Sequence, residues 1–253
     1  MCFILQYILK IMKYILIVLF ILSSPLIYGQ DTLFYKGNEQ VNNRESCTYF
    51  QFDTKNKKKD LYTTKSYYKD GRKRSVFTYV INEKGFNTLH GKKRQWFENG
   101  HKKQVASYKN GQLNGKVSSH YANGKIKRRD VYKNGALVKG KCWDEQGHEV
   151  AHKPFFVKAA YAGGDGKRQR FFLDHLRYPA VARENEIQGK VILDFVIKED
   201  GSIEGIKVVQ SVHEALDLEA KRVIGTMPKW IPASEDDEPV RSYFQIPIQF
   251  RLQ

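Results

Sequence analysis

The sequence predicts two structural classes in one chain. An all-β array of hairpin repeats comes first, and a compact α+β unit follows, with two helices on a three-stranded antiparallel sheet. Three observations carry that expectation. Asn-Gly pairs recur with a period of 24 between residues 99 and 135. After residue 174 the apolar spacing alternates between helical and strand periods, in the order helix, strand, strand, helix, strand. Charge switches as well: of a formal net charge of +16, residues 1–173 carry +20 and residues 174–253 carry −4. Such asymmetry argues for two units with different surfaces. At 41% apolar and 28% charged over 253 residues, the composition excludes disorder, a collagen-like fibre and a polytopic membrane protein.

The N-terminus sets the compartment. Residues 14–22 read YILIVLFIL behind Met12-Lys13, and Ser23, Ser24 and Pro25 break the run. A cationic start, an apolar core and small Gly29 before polar sequence describe a secretory signal peptide over residues 1–29, with Met12 the better start. The run falls short of the ~20 apolar residues that span a bilayer. The alternative is an uncleaved anchor that begins at Met1. Both readings carry the body of the protein out of the cytoplasm, membrane-associated in the second case. No Cys stands at the signal end, so no lipid-modified N-terminus is expected. Cys47 and Cys142 stay open between a disulfide and two free thiols. No CxxC and no Cys/His cluster at ligand spacing occurs, and no metal or cofactor is expected.

Residues 30–65 read as a β cap. Tyr49-Phe50-Gln51-Phe52 and Leu61-Tyr62 alternate as strands around a TKNKKKD turn. The array then covers residues 66–150. Its units are LHGKKRQWFENGHKKQVASYKNGQ, LNGKVSSHYANGKIKRRDVYKNGA and a truncated LVKGKCWDEQGHEV. Asn-Gly between aromatic-rich runs predicts hairpins with type I′ turns. Trp96, Phe97, Tyr108, Tyr121, Tyr132 and Trp143 recur at matching places and are expected to form one continuous core, with lysines facing solvent. A basic surface suits nucleic acid, anionic lipid or an anionic polymer. Regular aromatic spacing speaks for packing rather than base stacking, so nucleic acid is not expected as a partner.

These units resemble the MORN-type repeats of bacteria, a family in which some members carry an antitoxin label. The resemblance rests on Gly91, Phe97, Asn99, Gly100, Tyr108, Asn110 and Gly111. It recurs at Gly115, Tyr121, Asn123, Gly124, Tyr132, Asn134 and Gly135. Residues 151–173 follow as the expected linker, with residues 162–166, AGGDG, its most flexible stretch.

In residues 174–253, Tyr178-Pro179 opens a helix over AVARENEIQ, and Gly189 suits its stop. Val191, Leu193, Phe195 and Ile197 share one face of a strand. Asp200-Gly201 turns it into a return strand, Ile206 to Gln210. Leu216, Ala220, Val223, Ile224 and Met227 mark a second helix. Trp230 and Pro232 lead into the loop ASEDDEP, and Trp230 is expected in the core. The last strand covers residues 240–252, with Phe244, Ile246, Ile248, Phe250 and Leu252 inward. Pro247 cannot donate to a ladder, which places the strand at a sheet edge or leaves it half exposed.

That pattern resembles the C-terminal domain of the TonB energy-transducer family. The residues that carry it are Tyr178-Pro179, Gly189, Asp200-Gly201, Ala220, Trp230 with Pro232, and Ile246-Pro247-Ile248-Gln249-Phe250. The resemblance implies a periplasmic domain that grips the TonB box of an outer-membrane transporter and passes on force from an inner-membrane motor. It implies strand addition at residues 241–251, with Tyr178, Pro179, Arg241, Tyr243, Gln245, Gln249 and Arg251 as the candidate partner-binding residues. This chain departs from the family pattern in having 7 prolines and no Pro-rich stretch. A second reading is therefore a non-energised envelope adaptor, whose basic repeats hold cell wall, lipid or protein. No HExxH, GxSxG or P-loop occurs, so no enzyme is expected.

Overall fold

The computed structural model describes residues 32–252, except 57, 59, 84 and 86. The leader expected over residues 1–29 lies outside the described residues. The chain divides into two compact units, one ending at His152 and the other starting at Lys153. No helix among the described residues is long and apolar enough to cross a membrane.

The first unit is an antiparallel sheet with twelve strands among the described residues. They are β1 (Leu33–Lys36), β2 (Glu39–Val41), β3 (Tyr49–Asn56), β4 (Leu61–Tyr68), β5 (Lys73–Ile81), β6 (Asn87–Leu89), β7 (Gly91–Trp96), β8 (Lys102–Lys109), β9 (Gln112–His120), β10 (Ile126–Lys133), β11 (Ala136–Trp143) and β12 (Glu149–Val150). Their order is β12-β11-β10-β9-β8-β7-β5-β4-β3-β1-β2, with β6 on β5. Every step from β7 to β12 is a hairpin neighbour. The 24-residue period is written into its bonds: Gly111 N–H donates to Leu89 O and Gly135 N–H to Leu113 O, both at 2.8 Å.

Only half of the Asn-Gly turns are of the expected type. Asn110-Gly111 and Asn134-Gly135 have positive φ at both residues, 49° and 78°, then 48° and 82°. At Asn99-Gly100 and Asn123-Gly124 only the glycine does. There the Asn side chain is the reason for its presence. Asn99 Oδ1 accepts from His101 N–H at 3.0 Å, and Asn123 Oδ1 from Lys125 N–H at 2.9 Å.

The aromatic core expected for the array also needs correction. Of the six recurring aromatics only Tyr132 is buried. Trp96 and Trp143 end their strands, and Phe97 and Tyr121 lie just past strand ends, so they stand half-covered at the rim. One covered mid-strand row is small or polar. Gln51, Ser66, Ser75, Gln95, Gln104, Ser119, Arg128 and Cys142 stand opposite one another in register from β3 to β11. Aromatic stacking occurs instead among β1–β5. The cross-strand pairs Tyr35–Tyr49, Phe50–Tyr67 and Tyr62–Tyr79 stack at 5.0, 5.5 and 5.2 Å. Cys47 and Cys142 are buried free thiols.

Arg128 and Asp130 are buried together, 1% and 0% exposed at the side chain, with Nη1 to Oδ2 at 2.9 Å. The Tyr132 hydroxyl donates to the same oxygen at 3.3 Å, and His152 Nε2 lies 3.0 Å from Asp130 Oδ1. Gly140 stands opposite Asp130. A Cβ there would collide with the Asp130 carboxylate and the His152 ring. The repeat's recurrent glycine is needed at this unit for close approach, not for a turn.

The second unit holds β13 (Phe156–Val157), α1 (Gly164–His175), α2 (Ala180–Glu184), β14 (Gly189–Ile197), β15 (Ile203–Gln210), α3 (Glu214–Gly225), β16 (Ala233–Glu235), β17 (Glu238–Val240) and β18 (Ser242–Phe250). Its main sheet is antiparallel, β15-β14-β18. The expected alternation holds: Val191, Leu193, Phe195, Ile197, Ile246, Ile248 and Phe250 face one core with Leu216, Ala220, Val223 and Ile224 of α3. Trp230 is in that core too, edge-on to Tyr161 at 5.5 Å and to Phe244 at 4.7 Å.

Three details differ from expectation. Helix α1 occupies the segment expected to be a linker, because Phe171, Phe172 and Leu176 pack on the core and give it a covered face. Helix α2 stops at Glu184, well before Gly189, and Glu186 takes the positive φ of 53°. The acidic loop ASEDDEP is a β16–β17 hairpin closed by Asp236 and Asp237 at φ 54° and 70°, a conformation Asp tolerates. Asp236 is buried, and its N–H donates to Phe155 O at 2.6 Å.

Candidate functional site

Strand β18 pairs with β14 over nine consecutive residues, from Ser242 opposite Ile197 to Phe250 opposite Gly189, without a bulge. Its other edge carries no strand among the described residues. Pro247 stands opposite Ile192 within that register. Proline has no N–H for a ladder and fits a sheet where its nitrogen faces outward. Its backbone therefore faces the free side, and by the period of two so do the amides and carbonyls of Tyr243, Gln245 and Gln249.

A groove of about 290 Å³ adjoins this edge, lined by Phe172, Leu173 and Leu176 around α1 and by Pro247, Ile248 and Gln249 of β18. Leu173 is 78% exposed. The three apolar residues fall at i, i+1 and i+4 in the run FFLDHL, a helical signal that begins inside the segment expected as linker. An extended segment laid on β18 would bond to its backbone and set apolar side chains against this wall.

The sequence-predicted residues divide into three groups. Tyr243, Gln245 and Gln249 alternate with the core residues, so their side chains stand on the open face of the sheet, and the edge itself is backbone. Tyr243 is 85% exposed. Gln245 Nε2 donates to Asp194 Oδ1 at 2.7 Å. Arg241 forms an ion pair with Glu204 of β15, and Arg251 is exposed just past the strand. Tyr178 and Pro179 lead into α2: the Tyr178 hydroxyl donates to Ile187 O at 2.6 Å, its ring meets Phe250, the last residue of β18, edge-on at 5.9 Å, and Pro179 caps α2.

A charged clamp holds the end of α1. Glu219 of α3 accepts from Arg177 N–H and from Arg222 Nε, both at 2.7 Å, while Arg222 Nη2 donates to His175 O at 2.7 Å. Burial raises the Glu219 pKa, but the bonds from Arg222 and Arg177 outweigh it and hold the carboxyl below its ordinary value. On the far side, the Asp200-Gly201 hairpin docks on the core: Trp230 N–H donates to Gly201 O at 2.9 Å, and a Cβ on Gly201 would strike the Trp230 carbonyl. Only Gly201 of that pair has positive φ, and Asp200 serves by accepting from Ser202 N–H at 3.0 Å. No group of three or more His, Cys, Asp or Glu among the described residues is placed to hold a metal ion.

Residues 174–252 match the family model described as Gram-negative bacterial TonB protein C-terminal. Residues 89–110 and 113–134 match the MORN repeat variant. Two solution structures of the Helicobacter pylori TonB C-terminal domain are similar. For its residues 179–285 the identity is 29%, covering 35% of this chain and 79% of that one, with a TM-score of 0.29. For its residues 194–285 the identity is 30%, with coverage of 34% and 89% and a TM-score of 0.25. No curated protein matches the chain. TonB family domains are non-enzymatic transducers of the Gram-negative cell envelope. Through residues 174–252 the chain belongs to the TonB C-terminal family, and MORN-variant repeats precede that domain.

Proposed function

We propose that this chain works in the periplasm and binds the TonB-box segment of outer-membrane transporters by strand addition at β18, supporting energised transport. The observation that carries the reading is the nine-residue β14–β18 register beside an uncovered edge. Backbone pairing supplies affinity with little demand on sequence, so one edge serves several transporters. The apolar wall of α1 adds preference for segments with an apolar residue facing it. Coupling to an inner-membrane motor further requires that the leader stay attached as an anchor.

Fluorescence anisotropy of labelled transporter plug peptides against the full chain tests the edge. Gln249→Pro removes one outward amide and leaves the β14 ladder intact. Losing one such bond at about 1 kcal/mol weakens binding about fivefold. Val209→Pro on β15, the opposite edge of the sheet, leaves binding unchanged. Equal effects of the two substitutions, or none from Gln249→Pro, would remove β18 as the receptor edge.

A further inference from the structure

The face of the repeat sheet opposite the covered polar row carries cations and no carboxylate from β4 to β11. In those strands Asp130 is the single acidic residue, and it belongs to the covered face. The remaining acids of this stretch lie in turns. One cross-strand row on the cationic face runs Lys65, Val76, Arg94, Val105, Ser118, Arg129, Lys141 in unbroken register over seven strands. A second row sets Lys116, Val131 and Lys139 side by side. Between them a shallow groove of about 690 Å³ is lined by Lys116, Arg129, Val131, Lys139, Lys141 and Trp143 among others; Asp130 also borders it, but its side chain is 0% exposed. Lys116, Arg129, Lys139 and Lys141 are exposed, and Lys141 is paired with Glu149 at 2.8 Å.

We infer that this face binds a linear anionic polysaccharide, whose acidic groups lie along the cationic rows. Neighbouring strands are ~4.8 Å apart, so seven strands span about 29 Å. Strand twist of ~20–25° per step accumulates to about 120–150° along the row. A flat bilayer touches only part of so twisted a face, whereas a flexible chain follows it. The residues between the cations are Val and Ser, which offer hydrogen bonds and small apolar contacts to sugars. Single-stranded nucleic acid asks instead for exposed aromatic platforms, and Trp96 and Trp143 are half-covered at the rim. The inference stands on the repeat sheet alone and is independent of the reading of β18.

The probe is polygalacturonate, titrated against the full chain at 50 and 200 mM salt. Binding is expected to weaken at least tenfold at the higher salt. The triple substitution Arg94→Gln, Arg129→Gln, Lys139→Gln is expected to weaken it at least tenfold. The equal charge loss at hairpin ends, Lys36→Gln, Lys109→Gln, Lys133→Gln, is expected to weaken it less than threefold. Carbodiimide cross-linking of bound polygalacturonate is expected to mark Lys116, Lys139 and Lys141, a readout that needs no variant to fold. Equal losses from the two triples would show net charge alone and overturn the inference. So would cross-links spread over the hairpin ends, or tighter binding to phosphatidylglycerol vesicles or to a thymidine oligonucleotide.

Discussion

The two units bury their residues by different rules. In the TonB C-terminal domain the covered strand positions are Val, Leu, Ile and Phe of β14 and β18, joined with α3 in one core against which β15 packs. In the repeat sheet the covered row is Ser, Gln, Arg and Cys, and order comes from turns, register and side-chain bonds between near neighbours. One unit is built by long-range apolar packing, the other by repetition of short-range pairing. The lesson concerns cooperativity. Damage in the domain is expected to be felt everywhere within it, and damage in the array only by adjacent strands.

The sharpest separation comes from Phe195→Ala. Emptying the centre of the domain core is expected to cost about 4 kcal/mol and lower the urea transition reported by Trp230. The transition reported by Trp96 and Trp143 stays in place. A joint shift of both would break the comparison.

Asp130→Ala comes next, at about 3 kcal/mol, because it strips the buried Arg128 of its carboxylate. Amide exchange is expected to quicken in β9–β12 and remain slow in β3–β5. Acceleration throughout the sheet would show that the array is cooperative after all.

Glu219→Gln is worth about 1–2 kcal/mol at neutral pH through the clamp on α1. Its sign with pH follows from a carboxyl whose folded pKa is depressed. The stabilisation is complete above the ordinary value of 4.5 and fades as pH falls through the lower folded value. Acid titration of domain stability is expected to show this limb in the native chain and a reduced one in the variant.

Gly135→Ala is the smallest, about 1 kcal/mol, from a φ of 82° in a type I′ turn. Exchange at the β10–β11 hairpin measures it, with the domain unchanged.

The domain was the more legible unit because its strands carry apolar residues on one face. The alternation of Val191 to Ile197 and of Phe244 to Phe250 therefore named both strand and core side. In the array both faces of a strand are polar, so periodicity located the hairpins but not the covered side. Nothing local in IKRRDVYK distinguishes Arg128, which is buried, from Arg129, which is exposed. That difference exists only once Cys142 and Ser119 flank it in register. Helix α1 was missed because Gly163, Gly164 and Gly166 read as flexible, although the RFFLDHL run behind them supplies its apolar wall. The free edge was legible from Pro247. The groove beside it was not, since it needs α1 and β18 brought together.

A further consequence lies at the ends of the repeat sheet. Among the described residues the strand path finishes in β2, three residues long, and β12, two residues long. Stubs of that length offer little template for another sheet. A 24-residue unit added or removed between these stubs is therefore expected to lengthen or shorten the sheet while leaving both ends unchanged.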